Sequence, residues 1–257
     1  MFSKKESIRV LDPENKANYI ASTNETPFLF SNNSLWGTQP NFKDIYKTTE
    51  EEVKKSKPFF KVELSGKEDN IKWLDINRPT DEWSNGKKSP DLNWAENGDS
   101  IIVSPHMDHR LWIISKKGEK LLKYKEAKAN KINSFRIIEG YPIGDEEIIK
   151  TLKNGRYEIL LYDKFRKVYY RFFYPGIDSR KFNLSPRQQL SNNPKIGILI
   201  LDNKLDIIGE YTFGTNYIES WNYFVGRKGL YVSTKNPNRG GILMKIYSVM
   251  ISFSLRG

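Results

Sequence analysis

Cysteine is absent from all 257 residues, and histidine occurs only twice. The first absence excludes disulfides, thiolate metal sites and a cysteine nucleophile, and it leaves the redox compartment open. No run approaches the roughly 18 consecutive apolar residues of a membrane helix. The apolar tail at 243–255 is shorter and is broken by Lys245, Ser and Tyr, so it reads as a closing buried strand. Met1-Phe2-Ser3-Lys4-Lys5-Glu6 shows no apolar signal-peptide core. The G-x-S-x-G elbow, the P-loop and H-E-x-x-H are missing too. Acids are plentiful, but sequence places no two of them across a cleft, and a glycosidase reading has no footing. No cofactor is expected.

Aromatic residues make up 13% of the chain, and with abundant Ile and Val they suit pleated, half-buried strands. The formal charge of +11 raises a nucleic-acid or other polyanion reading. Against it, the lysines are spread through turns and mixed with acids, as in Glu50-Glu51-Glu52-Val53-Lys54-Lys55. Lysine scattered in this way also blocks edge-to-edge strand pairing. A nucleic-acid partner is not expected.

A strand–turn–strand unit recurs. Its clearest copy is Trp221-Asn222-Tyr223-Phe224-Val225, the turn Gly226-Arg227-Lys228-Gly229, Leu230-Tyr231-Val232-Ser233 and then a strand at 242–247. A similar order runs from Asn93-Trp94-Ala95 through Ile101-Ile102-Val103 and Leu111-Trp112-Ile113 to Tyr124. Two further units cover 28–74 and 157–211, giving an irregular step of roughly 60–70 residues, the pattern of a β-propeller. Helices are expected at 48–55 and 144–152, with one helical turn near Gln188-Gln189-Leu190 inside a long loop at 175–195. The expected fold is all-β and propeller-like, with about four meander blades, one or two short connecting helices and a single domain over 1–257.

Val168-Tyr169-Tyr170-Arg171-Phe172, then Ile198-Leu199-Ile200-Leu201-Asp202 with Ile208-Gly209-Glu210, then Gly229-Leu230-Tyr231-Val232-Ser233 carry a resemblance. The chain resembles the C-terminal part of the domain-of-unknown-function 4221 family, over about residues 28–247 and most strongly after Gly155. That resemblance implies a six-bladed propeller, made as a lipid-anchored protein of the bacterial envelope or periplasm. On it the chain is a propeller incomplete at its N-terminus, which puts ring closure in doubt, and the family supplies no catalytic residues to carry over.

The two histidines share the segment Pro105-His106-Met107-Asp108-His109-Arg110. Two imidazoles and the carboxylate of Asp108 could ligate a divalent metal or move a proton; the same residues also make an ordinary turn. Tyr170 and Arg171 point to opposite faces of their strand. Arg171 could hold a carboxylate or phosphate bidentately, or satisfy a buried acid such as Glu158 or Glu210. Arg180 and Arg187, with Asn183, Asn192 and Asn193, are candidate ligand contacts in the long loop. Trp36, Trp73, Trp94, Trp112 and Trp221 fall in or beside strands and read as packing between blades. Trp83, in the polar loop 78–86 where burial in a strand does not explain it, is a candidate ligand or partner contact.

These residues support a non-enzymatic propeller that binds a glycan or peptide through loops and a central channel. The alternatives are a hydrolase or lyase working through His106, Asp108 and His109, and a polyanion-binding module.

Overall fold

The structure, a computed structural model, describes residues 22–23, 25–31, 33–40, 44–64, 71–141, 143–215, 217–234 and 248–251. It forms four antiparallel sheets in chain order. The first holds β1 (Leu29–Ser31), β2 (Ser34–Thr38), β3 (Phe59–Glu63) and β4 (Ile71–Trp73). The second holds β5 (Leu92–Asn97), β6 (Ser100–Pro105), β7 (Arg110–Ser115) and β8 (Lys120–Glu126). In the third are β9 (Arg156–Asp163), β10 (Val168–Tyr174), β11 (Gly197–Leu201) and β12 (Ile207–Thr212). The fourth has β13 (Ile218–Gly226), β14 (Gly229–Thr234) and β15 (Ser248–Ile251). Every strand pairs with its neighbour in sequence, so each sheet is a meander, as the repeat predicts. The strand expected at 242–247 lies outside the described residues, and β15 supplies the third strand of that sheet.

Period-2 side-chain direction explains how such sheets stack. On β10, Tyr169 and Phe173 enter a cluster with Ala95, Ile102 and Leu111 of the second sheet. Val168, Tyr170, Phe172 and Tyr174, on the other face, enter a cluster with Leu230 and Val232 of the fourth. The second sheet divides in the same way. Ile101 and Val103 join Trp36 and Phe59 of the first sheet, whereas Ile102 turns to the third. Burying each such side chain contributes about 1.5–3 kcal/mol, so these seams hold the stack together. Among the first strands, β9 packs against both β5 and β13, while β8 and β12 are largely exposed. Central strands therefore read as continuous apolar runs and outer ones as mixed.

Two glycines are fixed by close approach. Gly37 lies opposite Phe60 and Gly197 opposite Phe173 in register. A Cβ on either would sit 2.1 or 2.2 Å from the facing ring. The same glycine–phenylalanine pairing in two sheets is a trace of the repeat.

The three short helices lie at the expected places. α1 (Glu50–Lys55) starts on a capping box between Thr49 and Glu52, α2 is Gly144–Lys153, and α3 (Pro186–Asn192) starts on one between Ser185 and Gln188. α2 and α3 pack together beside the third sheet.

Candidate functional site

The histidine segment is the β6–β7 connection, and it is tied into the neighbouring sheet. Arg171, fully buried, donates through Nε to Ser104 Oγ at 2.8 Å. One terminal nitrogen donates to the carbonyls of His109 and Ala127, both at 2.9 Å. The other donates to Asp108 O at 2.8 Å and Pro105 O at 3.3 Å. These five acceptors match the five guanidinium N–H groups. The cation also lies 3.3 Å from the centre of the Tyr157 ring. Loss of hydration lowers its pKa to about 10. Arg171 thus pins the turn across the seam through backbone carbonyls. It contacts neither Glu158 nor Glu210, and its guanidinium keeps no donor for a ligand.

The turn's side chains are equally occupied. Asn93 contacts His106 Nε2 at 3.2 Å, and His109 Nδ1 contacts the Tyr157 hydroxyl at 2.8 Å. That hydroxyl also accepts from Ala129 N at 2.9 Å. Burial depresses the basicity of both imidazoles, His109 to about 4. Asp108 accepts from Arg110, which also pairs with Asp81. Histidines and carboxylate therefore turn to three separate partners. Among the described residues no three His, Asp or Glu side chains group around a common cation position.

The other candidates are dispersed. Tyr170 is buried against the fourth sheet, its hydroxyl 3.2 Å from Asp163 Oδ2. Trp83 is buried, packed on Val53 of α1 and on Ile45. Its polar surroundings are themselves folded inward: Arg78, fully buried, pairs with Glu82 at 2.9 Å and donates to Pro40 O and Pro90 O. That is the correction to the reading of Trp83 as a contact; residue type alone made the loop look solvated. Arg180 is exposed and paired with Asp178, and Arg187 with Asp145 at 3.4 Å. Asn193 accepts from Arg156 at 2.8 Å. Trp36, Trp94 and Trp112 lie in the first seam as expected, and the Trp221 side chain lies outside the described residues.

Beside the turn, on the first strand of the third sheet, Glu158 Oε2 is buried without a hydrogen-bond partner. Desolvation raises this carboxyl to about 7, opposed by Arg156 and reinforced by Glu25 and Asp91.

The feature that sequence reading missed lies at the opposite end of the same seam. A cleft of about 480 Å³ opens between the second and third sheets, within the roughly 300–1,000 Å³ of small-ligand sites. Its apolar lining is Ile102, Ile113 and Leu205, with Tyr169 beside them. Lys123, Lys125 and Lys204 line it too, with Asp206, Asn97, Asn203 and Ser100. Register explains the convergence. Ala95, Ile102, Ile113 and Lys123 form one row across the second sheet, so Lys123 continues an apolar row that faces the third.

The opposite wall is the β11–β12 turn. Asp202 Oδ1 accepts from the backbone of Lys204 and Asp206, both at 2.8 Å. Leu205 is thereby held at φ +65°, an uncommon left-handed conformation for a branched side chain, and its side chain is buried in the seam. Asn97 Nδ2 bridges the cleft, donating to the Tyr169 hydroxyl at 2.8 Å and Asn203 Oδ1 at 2.9 Å. Lys125 pairs with Asp206 at 2.5 Å. Lys123 and Lys204 make no ion pair among the described residues. Only the turn Asp202-Asn203-Lys204 was legible beforehand; strand register would have been needed to see the rest.

The profile of the family described as Domain of unknown function (DUF4221) matches residues 3–212, which takes in the first three sheets. A crystal structure of a member of that family from Bacteroides vulgatus is 23% identical, with a TM-score of 0.63. The likeness covers 81% of this chain and 57% of that one, so this chain spans under two thirds of its length. Apo AztD from Citrobacter koseri is 15% identical and a second AztD structure 16%, each covering 81% of this chain and 52% of that chain. Their TM-scores of 0.29 add nothing to the fold assignment. None of the curated proteins matches the sequence. The family match spans most of the sequence, and the Bacteroides vulgatus structure shares its all-β, propeller-like architecture: the chain belongs to the DUF4221 family.

Proposed function

We propose that this chain is a non-enzymatic binding module whose ligand enters the cleft between the second and third sheets. The observation that carries this reading is the cleft itself, where Lys123 and Lys204, without an ion pair among the described residues, and side-chain amides accompany an apolar lining. In the same reading the four sheets are successive blades of a six-bladed ring, a single domain of an envelope protein held by a lipid anchor. Ring and location are carried over from what the family resemblance in the sequence implies. The alternative hydrolase or lyase gains nothing from the geometry, because His106, Asp108 and His109 are bonded to separate structural partners.

The test is an array of glycans and short peptides probed with the whole chain and with Asn203→Trp, which projects a large ring from the exposed turn into the cleft. Saturable binding lost in the variant, with the ligand recovered chemically unchanged, is expected. A ligand recovered cleaved, or binding that survives the plug, contradicts the proposal.

A further inference from the structure

The cleft's charge is local, not a share of the general basicity. At the outer margin of the first seam, Lys61 pairs with Glu63 and Glu119, Lys72 with Glu119, and Lys116 with Glu96. Every one of those lysines is neutralised by an acid. In the cleft, three lysines share the single acid Asp206, which Lys125 already holds. Lys123 of the second sheet and Lys204 of the β11–β12 turn both line the cleft, neither in an ion pair among the described residues. Asp206 feels all three lysines, but it is one carboxylate among three cations, and the surplus positive charge lowers the energy of an anion placed in the cleft.

The uncharged polar groups narrow the class. The Asn97 amide hydrogens are spent on Tyr169 and Asn203. That leaves the Asn97 carbonyl oxygen, the Asn203 amide nitrogen and the Tyr169 hydroxyl proton without protein partners among the described residues. Donors and acceptors thus meet where Asn97 bridges the two sides of the cleft, a mixture suited to hydroxyl groups, which both give and take hydrogen bonds. Ile102, Ile113 and Leu205 offer a surface for C–H groups. A ligand matching all three features carries carboxylates, vicinal hydroxyls and an apolar face.

Resting on the binding reading above, we propose that the cleft is a site for a carboxylate-bearing saccharide, a short uronic-acid oligomer, with its carboxylates on Lys123 and Lys204 and its hydroxyls on Asn97, Asn203 and Tyr169. Ammonium–carboxylate pairs give charge selectivity, and the Asn97–Asn203 bridge separates a sugar from a bare anion.

Calorimetric titration of the whole chain with tri-galacturonate tests it, beside maltotriose, tri-glutamate and inorganic phosphate. The expected result is saturable tri-galacturonate binding at least tenfold tighter than the other three. Lys123→Gln with Lys204→Gln should weaken it at least tenfold, while Lys47→Gln, a control at an exposed lysine, leaves it unchanged. Equal weakening by the control and the cleft pair would overturn the site and reduce the effect to net charge. Tri-glutamate or phosphate binding as tightly would overturn the saccharide class. Maltotriose binding that Asn203→Trp abolishes, without preference for the acid, would overturn the charge assignment and leave the binding module standing. No binding by any probe overturns the saccharide assignment, and an empty array beside it removes the binding module as well.

Discussion

The seam between the second and third sheets has two ends built from the same materials and put to opposite use. At the β6–β7 end, cation, imidazoles and hydroxyl are all bonded inward: Arg171 to four carbonyls and a serine, His109 to Tyr157. At the β11–β12 end, Lys123 and Lys204 make no ion pair among the described residues and line an open cleft with Asn97 and Asn203. The difference teaches that residue type is a poor guide to function here. Chemically suggestive side chains, two histidines and an arginine, are bonded within the fold, and ordinary lysines line the cleft.

The largest effect is expected from breaking the closed end. Arg171→Met leaves four carbonyls and Ser104 Oγ short of a buried donor, and should cost about 3–5 kcal/mol in urea denaturation. A loss under 1 kcal/mol would mean that the pin is dispensable. Arg171→Lys should recover little, because an ammonium cannot reach the same spread of acceptors.

Next come two pH limbs of opposite sign. Glu158 has a folded pKa near 7 against 4.5 in the unfolded chain. The folded state favours its neutral form, so its contribution is intact below pH 4.5 and falls as pH rises to about 7. A shift of this size is worth about 3 kcal/mol at most. Glu158→Gln should therefore be the more stable protein at pH 8, with the gain fading toward pH 4.5. His109 runs the other way. Its pKa is depressed from 6.5 to about 4, so its contribution is present above pH 6.5 and lost on acidification toward 4. Melting curves across pH 4–8 for Glu158→Gln and His109→Gln separate the limbs.

A smaller effect tests the hydroxyl at the closed end. Tyr157→Phe removes the acceptor of Ala129 N and the partner of His109 while keeping the ring under Arg171. It should cost about 1–2 kcal/mol and shift His109, read by proton NMR titration. The smallest change in stability is expected at the open end. Lys123→Gln with Lys204→Gln should move unfolding by less than about 0.5 kcal/mol, since neither lysine is in an ion pair among the described residues.

The architecture was legible because it rests on local, repeated signals. Trp94-Ala95 to Tyr124 and Tyr157 to Tyr211 each carry strands, turn residues and alternation in order, and they became whole sheets. Capping residues Thr49 and Ser185 mark helices in the same local way. The sites were not legible, because they depend on contacts between sheets. Arg171 meets the turn 105–109 only after two sheets stack. Trp83 looked solvent-facing until α1 covered it. Lys123 joins Lys204 through the register of one sheet and the turn of the next, a relation no linear pattern contains.

The most direct measurement is a paired one: unfolding midpoint and tri-galacturonate affinity, taken on His109→Gln and on Lys123→Gln with Lys204→Gln. The account predicts a crossed result, with the histidine variant less stable and still binding, and the lysine variant as stable as the parent and at least tenfold weaker in binding. Loss of binding in the histidine variant, with binding kept in the lysine variant, would place function at the closed end and contradict the account.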